Sequence, residues 1–305
     1  MTQKKKKARI SNFFANAFYH SKFKDKLFVI KASGDLIEDD QALDSLMANI
    51  KKLTTFMGIK ILLIYGGGKA VDKALEERGI PVKKEAGRRI TDMATLNVIK
   101  EVIGGRLSLR VYEAQSRANM EGFTFNAVPY EWMDVEKRPK KGTDFGYVGD
   151  VKRVYSRPIG RMFRSTNFMA MPCLASTNEG QTLNINADTI ATELAIGAGA
   201  NKLVFLSNID GVQVDNKTAF LITAEEIPGL IKKGVVTGGM QVKMENCMRA
   251  LEGGVRRIHL INGLRANALE KEIFEAVGPG TMLMLDEERE SYLNEIEIQK
   301  AIGGK

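Results

Sequence analysis

Residues 60–72 read KILLIYGGGKAVD, a run of aliphatic residues that passes without a break into three glycines and then into a segment of helical composition. A short, continuous apolar run bounded by a turn signal is what a strand buried on both faces of a parallel sheet requires. LFVIK (27–31) has the same character upstream. Between the two runs, Leu43, Leu46, Met47, Ile50 and Leu53 recur at three- and four-residue spacing, which predicts an amphipathic helix. Strand, helix, strand is the crossover unit that joins parallel strands. The logic repeats downstream with FMAMPCLAS (168–176), a helix over about 187–198 and KLVFLS (202–207). RIHLIN (257–262), a helix around 267–276 and TMLML (281–285) complete it. The sequence therefore predicts an α/β fold, a mostly parallel open sheet sandwiched by helices.

Residues 121–157 break the pattern, mixing Pro, Gly, aromatic and charged residues in short strand-like pieces such as YVGDVKRVY, and read as hairpins projecting from the sheet. No repeat of 20–50 residues and no long linker is visible. The expected organisation is an N-terminal basic amphipathic extension (1–26), an N-lobe (27–180), a C-lobe (181–285) and a C-terminal tail (286–305), acidic and helical.

The chain of 305 residues is 44% hydrophobic and 27% charged, an ordinary globular composition. No run approaches the roughly 18 apolar residues of a spanning helix. The formal charge of +8 is concentrated at one end: residues 1–26 hold eight Lys or Arg against Asp25 alone, so they carry +7 of it. The body is close to neutral, which argues against nucleic acid or a membrane surface as partner. Cys173 and Cys247 are the two cysteines and stand far apart, so neither a disulfide framework nor a zinc site is indicated, and a reducing cytoplasm fits. The first residues lack the apolar core and cleavage site of a secretory signal.

Several chemistries are excluded by spacing. Lys69 follows Gly68, but Ala70 stands where a Walker motif needs Ser or Thr. Gly197 and Gly199 precede a strand instead of a helix, unlike a dinucleotide fingerprint. His20 and His259 are too few for a multi-histidine metal centre, and there is no GxSxG elbow. What remains are Gly, Lys and Asp residues just after predicted strands, where open α/β sheets bind ligands. Lys31 ends the first strand and leads into Gly34. Gly66, Gly67 and Gly68 end the second and open a helix, where free N–H groups favour an anion. Taken alone the triple glycine fits a plain tight turn equally well. Asn184, Asn186 and Asp188 precede another helix, where capping is the ordinary reading. Lys243, early in a further helix, alone reads as a solvated face.

VIKASGD, YGGGKAVD, GRRITD, NINAD, GGMQVK and GPGTML occur in the order found in the amino acid kinase family, and over about residues 27–285 the chain resembles its N-acetylglutamate kinase group. The resemblance implies that Lys31 and Lys243 are catalytic cations on the transferred phosphoryl group, organised by Asp188. It implies N–H donation by Gly34 and Gly67, an ATP site that includes Ser207 and Asn208, and a substrate site of Gly66, Gly67, Arg89, Asn184 and Asn186. Arg89 would hold a substrate carboxylate, with Arg88 the next candidate. The implied reaction is ATP-dependent phosphorylation of the side-chain carboxylate of N-acetyl-L-glutamate in arginine biosynthesis, with Mg2+ held by phosphate oxygens and water, no protein metal site, and a cytoplasmic homo-oligomer, dimer or hexamer. Alternatives are a kinase for a related carboxylate, such as carrier-bound aminoadipate or glutamate, and a catalytically weak regulatory nucleotide-binding subunit. The chemistry is coherent, because a carboxylate with a reference pKa near ~4 is ionised at neutral pH and attacks phosphorus without a general base.

Departures from the family pattern concern Ser33, Tyr65, Lys69 and Asn208, and above all GFTFNAVPYEW (122–132), a segment that belongs to the substrate lid in relatives. The extension and HLINGLRANALEKEIFE (259–275) resemble the arginine-inhibited hexameric branch. Phe13, Phe14, Ala17, Phe18 and Phe23 would form the apolar side of its N-terminal helix. His259, Gly263 and Glu272 are kept, while Leu264 and Asn267 stand where that branch has Arg and His, which implies the assembly more than the inhibition.

Overall fold

The computed structural model describes residues 20–85, 88–140, 142–275 and 277–301. Its frame is an eight-stranded sheet. In chain order the strands are β1 (Leu27–Ala32), β2 (Lys60–Tyr65), β3 (Phe123–Thr124), β4 (Phe168–Pro172), β5 (Lys202–Ser207), β6 (Leu221–Thr223), β7 (Arg257–Asn262) and β8 (Thr281–Met284). In space they run β6-β8-β7-β5-β1-β2-β4-β3. Every neighbouring pair is parallel except β7 with β8, so β8 and β6 form an antiparallel flank on an otherwise parallel sheet. β1 lies at the centre, with Phe28 opposite Lys202 on one side and Ile61 on the other.

The strands are apolar because both of their faces are covered. Phe28, Val29 and Ile30 of β1 and Ile61 to Tyr65 of β2 are fully buried. The crossover between them is α1 (Gly34–Glu38) followed by α2 (Asp40–Phe56). The Asp39 side chain caps α2 by accepting from Ala42 N at 2.8 Å. Leu43, Leu46, Met47, Ile50 and Leu53, the predicted stripe, are all buried, each worth about 1.5–3 kcal/mol of transfer free energy.

The next helix, α3 (Gly68–Glu77), is followed by a long helical segment with an α start, α4 (Met93–Ile99), a π-helical middle (Lys100–Leu107) and an α end, α5 (Ser108–Arg117). The later crossovers use α6 (Ala187–Gly197), α7 (Gly238–Glu252) and α8 (Ala268–Phe274), and α9 (Arg289–Ala301) is the last helix among the described residues. Tyr292 and Ile296 of α9 pack on Met282 and Met284 at the sheet flank.

Two readings of the sequence are amended. Residues 133–137 and 149–154 do form an antiparallel hairpin outside the sheet, bulged at Asp134/Val135, but Phe123–Thr124 joins the sheet beside β4 instead of projecting from it. Phe23 does not belong to an outward apolar face, for it is buried edge-on against Phe28 at 5.5 Å between centroids. The assignment of Phe13, Phe14, Ala17 and Phe18 to a helix lies outside the described residues.

Candidate active site

Parallel strands deliver their carboxyl ends to one edge of the sheet, and there β1, β2 and the segment after β4 open on a cavity of about 380 Å³. Lys31, Gly34, Gly66, Gly67, Arg89, Asn184, Asn186 and Asp188 all line it, although they are spread over 158 residues of sequence between Lys31 and Asp188 counted inclusively.

At its floor is an ion triad. Asp188, in the first turn of α6, receives Lys31 Nζ at 2.8 Å on Oδ1 and Lys243 Nζ at 2.6 Å on Oδ2. Lys31 stands near the end of β1 and Lys243 in the second turn of α7, so the carboxylate joins the central strand to a helix of the far half of the sheet. Burial opposes ionisation of Asp188, but the two ammonium groups prevail and hold its carboxyl well below the usual carboxylate range. The Lys243 ammonium also sits 4.5 Å from the centroid of the Phe205 ring. Lys243 reaches the cavity through Asp188 and is not itself part of the lining.

Two glycine turns shape the wall beside it. A Cβ on Gly34 would meet Gly67 Cα at 2.9 Å, and one on Gly67 would meet Leu107 Cδ1 at 2.3 Å. Glycine at both positions is thus what lets the turn after β1 and the turn after β2 touch, with the π-helical stretch packed behind them. Gly67 caps α3 without a side chain, so the first-turn N–H groups have no side-chain acceptor there.

The rest of the lining is cationic. Asp72 of α3 accepts from Arg89 Nη1 and from Lys84 Nζ at 2.6 Å, and Arg89 Nη2 donates to Gly68 O at 3.0 Å. Burial disfavours the charged Asp72, yet Arg89 and Lys84 hold its pKa down. Arg138 grips Asp150 of the hairpin, with Nε 3.1 and 3.0 Å from the two carboxylate oxygens. Lys69 pairs with Asp35 at 2.7 Å, and Asn208 Nδ2 donates to the same oxygen at 3.2 Å. Asn184 Nδ2 donates to Thr91 Oγ1 at 3.2 Å, and Asn186 Oδ1 accepts from Thr189 N at 3.1 Å as the cap of α6.

Ser207 and Asn208 do not line the cavity. Ser207 ends β5 and its carbonyl accepts from Gly263 N, while Asn208 shares Asp35 with the cavity-lining Lys69. Tyr65 turns inward, where its hydroxyl donates to Ser108 Oγ at 3.0 Å. No residue of 122–132 lines the cavity; Arg138 and Val148, around the next hairpin, contribute to the wall instead. Asp72, Lys84, Arg138 and Cys173 are site residues that sequence reasoning did not single out. Asp72 had a signal, since it ends the motif YGGGKAVD, four residues after Gly68. Arg138 had none, because its placement depends on the hairpin.

The groups present restrict the chemistry. Burial pushes the Cys173 thiol up to about 11 and the Cys247 thiol up to about 12, so neither is a thiolate at neutral pH. The two carboxylates that line the cavity, Asp72 and Asp188, are each engaged by two cations. Among the described residues the site therefore offers positive charge and N–H groups but no free nucleophile, which suits an anionic substrate that supplies its own.

A parallel α/β sheet with two lysines bridged by one aspartate at the carboxyl ends of its strands defines a protein built for anionic, phosphoryl-bearing ligands. The chain belongs to the amino acid kinase family, whose model matches residues 26–262. It is 33% identical to an acetylglutamate kinase of Halothermothrix orenii over 87% of this chain and 93% of that one, and 32% identical to an acetylglutamate kinase of Gloeobacter violaceus over 88% and 90%. Among solved structures it is similar to the N-acetylglutamate synthase of Neisseria gonorrhoeae complexed with coenzyme A and N-acetyl-glutamate, with a TM-score of 0.81 and 25% identity over 90% of this chain. The chain spans 63% of that synthase's length.

Proposed function

We propose that the chain uses ATP to phosphorylate the side-chain carboxylate of N-acetyl-L-glutamate, a step of arginine biosynthesis. The observation that carries this reading is the Lys31–Asp188–Lys243 triad on the floor of a cavity that holds cations and no nucleophile of its own. The acetylglutamate kinases to which the chain is similar along most of its length support the choice of substrate.

In this reading the substrate carboxylate lies along the wall of Arg89, Asn184 and Asn186 and attacks the γ-phosphorus directly. Charge spreading over the equatorial phosphoryl oxygens is met by the ammonium groups of Lys31 and Lys243. Asp188 holds both in place, and the N–H groups of Gly34 and Gly67 complete the donor set. Residues 27–180 present the acyl amino acid and residues 181–285 the nucleotide, with Ser207 and Asn208 at its margin. Magnesium enters with the nucleotide: Asp35, Asp72 and Asp188 are each taken by two protein partners, so phosphate oxygens and water are the natural ligands.

No helix among the described residues is long and apolar enough to cross a membrane. A cytoplasmic homo-oligomer is the accompanying expectation. It is supported by Leu109 and Tyr112, exposed one turn apart on α5 at 60% and 57%, beside the exposed Phe123 of β3. The deciding experiment traps acyl phosphate with hydroxylamine in the presence of ATP and magnesium, offering N-acetylglutamate, glutamate, aspartate and aminoadipate in parallel. Hydroxamate from N-acetylglutamate far above the others is expected. Equal yields, or a preference for aminoadipate, would replace the substrate.

A further inference from the structure

Lys69 lines the cavity in the first turn of α3, directly after the glycines that end β2, and its side chain is 73% exposed. Its ammonium lies 2.7 Å from Oδ2 of Asp35, the residue that follows Gly34 in the other glycine turn. The same oxygen accepts from Asn208 Nδ2 at 3.2 Å. One carboxylate thus ties together the chain just after β1, β2 and β5.

An exposed pair of this kind adds little to stability, because water screens it. What it does is fix a cation beside the two glycine turns, as Asp188 fixes Lys31 on the floor of the cavity. An ammonium has three donors. Asp35 engages Lys69, which makes no other hydrogen bond or ion pair among the described residues, so N–H groups remain for a ligand. Charge calls for such a group. The triad of two ammoniums and one carboxylate carries a single net positive charge. Lys84 and Arg89 are held by Asp72, and Arg138 by Asp150. A triphosphate brings more negative charge than the triad offsets, and phosphoryl transfer is promoted by cations around its terminal group.

We propose that Lys69 is a phosphate-binding residue: held by Asp35 beside the two glycine turns, it donates to the terminal phosphate of a nucleoside triphosphate. The proposal rests on the reading of the cavity as a kinase site and is indifferent to which acid is phosphorylated. It gives the site a means of telling the triphosphate from the diphosphate that it must release.

The test is titration calorimetry with ATP, ADP and AMP in the presence of magnesium and without an acceptor acid. Lys69→Met, which retains the aliphatic stem, is expected to weaken ATP binding by about 10-fold or more, with ADP and AMP binding within about 2-fold of wild type. Lys69→Arg, which keeps the charge, should regain most of the loss. Asp35→Asn removes the carboxylate charge that Lys69→Met would otherwise uncover, and on that background Lys69→Met should still weaken ATP binding by a similar factor. Loss of the Lys69→Met effect on the Asp35→Asn background would assign it to an unmasked Asp35 and overturn the proposal. Equal losses for ATP and AMP, or unchanged ATP binding, overturn it as well. A wild-type protein that binds none of the three nucleotides overturns the kinase reading, and the role of Lys69 with it. A different acceptor acid leaves nucleotide binding, and hence this test, untouched.

Discussion

Lys31 near the end of β1 and Lys202 at the start of the adjacent β5 lie at opposite ends of the same sheet, and both are removed from water. Lys31 meets the carboxylate of Asp188, which it shares with Lys243. Lys202 meets an imidazole: its Nζ is 2.9 Å from His259 Nε2, and His259 Nδ1 is 2.7 Å from Glu272 Oε1. A neutral histidine satisfies that chain at both nitrogens, donating from Nδ1 to Glu272 and accepting at Nε2 from Lys202. Burial, with Arg257 and Lys22 nearby, lowers the Lys202 pKa to about 7, and burial with Lys202 lowers that of His259 to about 4. Desolvation acts in both places, and the neighbours decide the result. Where an anion lies between two cations the charges survive burial; where a cation faces a neutral ring with further cations behind it, the neutral forms are favoured. The first arrangement keeps fixed charge at the edge of the sheet that faces the cavity, and the second ties β5, β7 and α8 together at the other end.

Three measurements can break or sharpen this contrast. The largest effect is expected in the triad, where Lys31→Ala or Lys243→Ala should lower kcat by about 100-fold or more, because a lost transition-state donor costs on the order of 3 kcal/mol. Circular dichroism should show an intact fold. Near wild-type turnover by either variant would remove that lysine from the chemistry.

The next effect falls on stability. Glu272 accepts from His259 on one oxygen and from Gly280 N at 3.1 Å on the other, all of them buried. Glu272→Ala leaves two buried donors without partners, at about 1–3 kcal/mol each. Urea unfolding should show the loss while kcat per folded molecule is retained. A collapse of kcat with stability intact would mean that the two ends of the sheet are functionally coupled.

The smallest effect is on pH dependence. Lys202 and His259 both have folded-state pKa values below their ordinary ones, so the unfolded chain binds the extra proton first. Stability should therefore rise with pH, between about 4 and about 6.5 through His259 and between about 7 and about 10.5 through Lys202. Asp188 acts at the acid extreme: its depressed pKa contributes stability that is present above its unfolded value and is lost as pH falls through the lower folded one. Lys202→Met should flatten the alkaline rise and, because Lys202 helps to lower the His259 pKa, shrink the acid limb as well. A wild-type stability that is flat from pH 7 to 10 would contradict a neutral Lys202.

The sequence by itself determined the α/β class, because strands covered on both faces must be apolar throughout and a crossover helix must show one apolar stripe. LFVIK, KILLIY and the stripe from Leu43 to Leu53 leave no other economical packing. It also placed Lys31 and the glycines at the carboxyl ends of strands, while Asn184, Asn186 and Asp188 read by themselves as a helix cap and took a ligand-facing role only through the resemblance. The tertiary structure alone decided what each of them meets. That Asp188 lies between Lys31 and Lys243, that Asp72 fixes Arg89, and that 122–132 stays out of the cavity lining while Arg138 reaches it, all depend on contacts between segments far apart in the chain. Local periodicity reports which face of an element is buried. Which charge will stand opposite another is set by the order of strands across the sheet and by the fold of one hairpin, and neither is written in any local pattern.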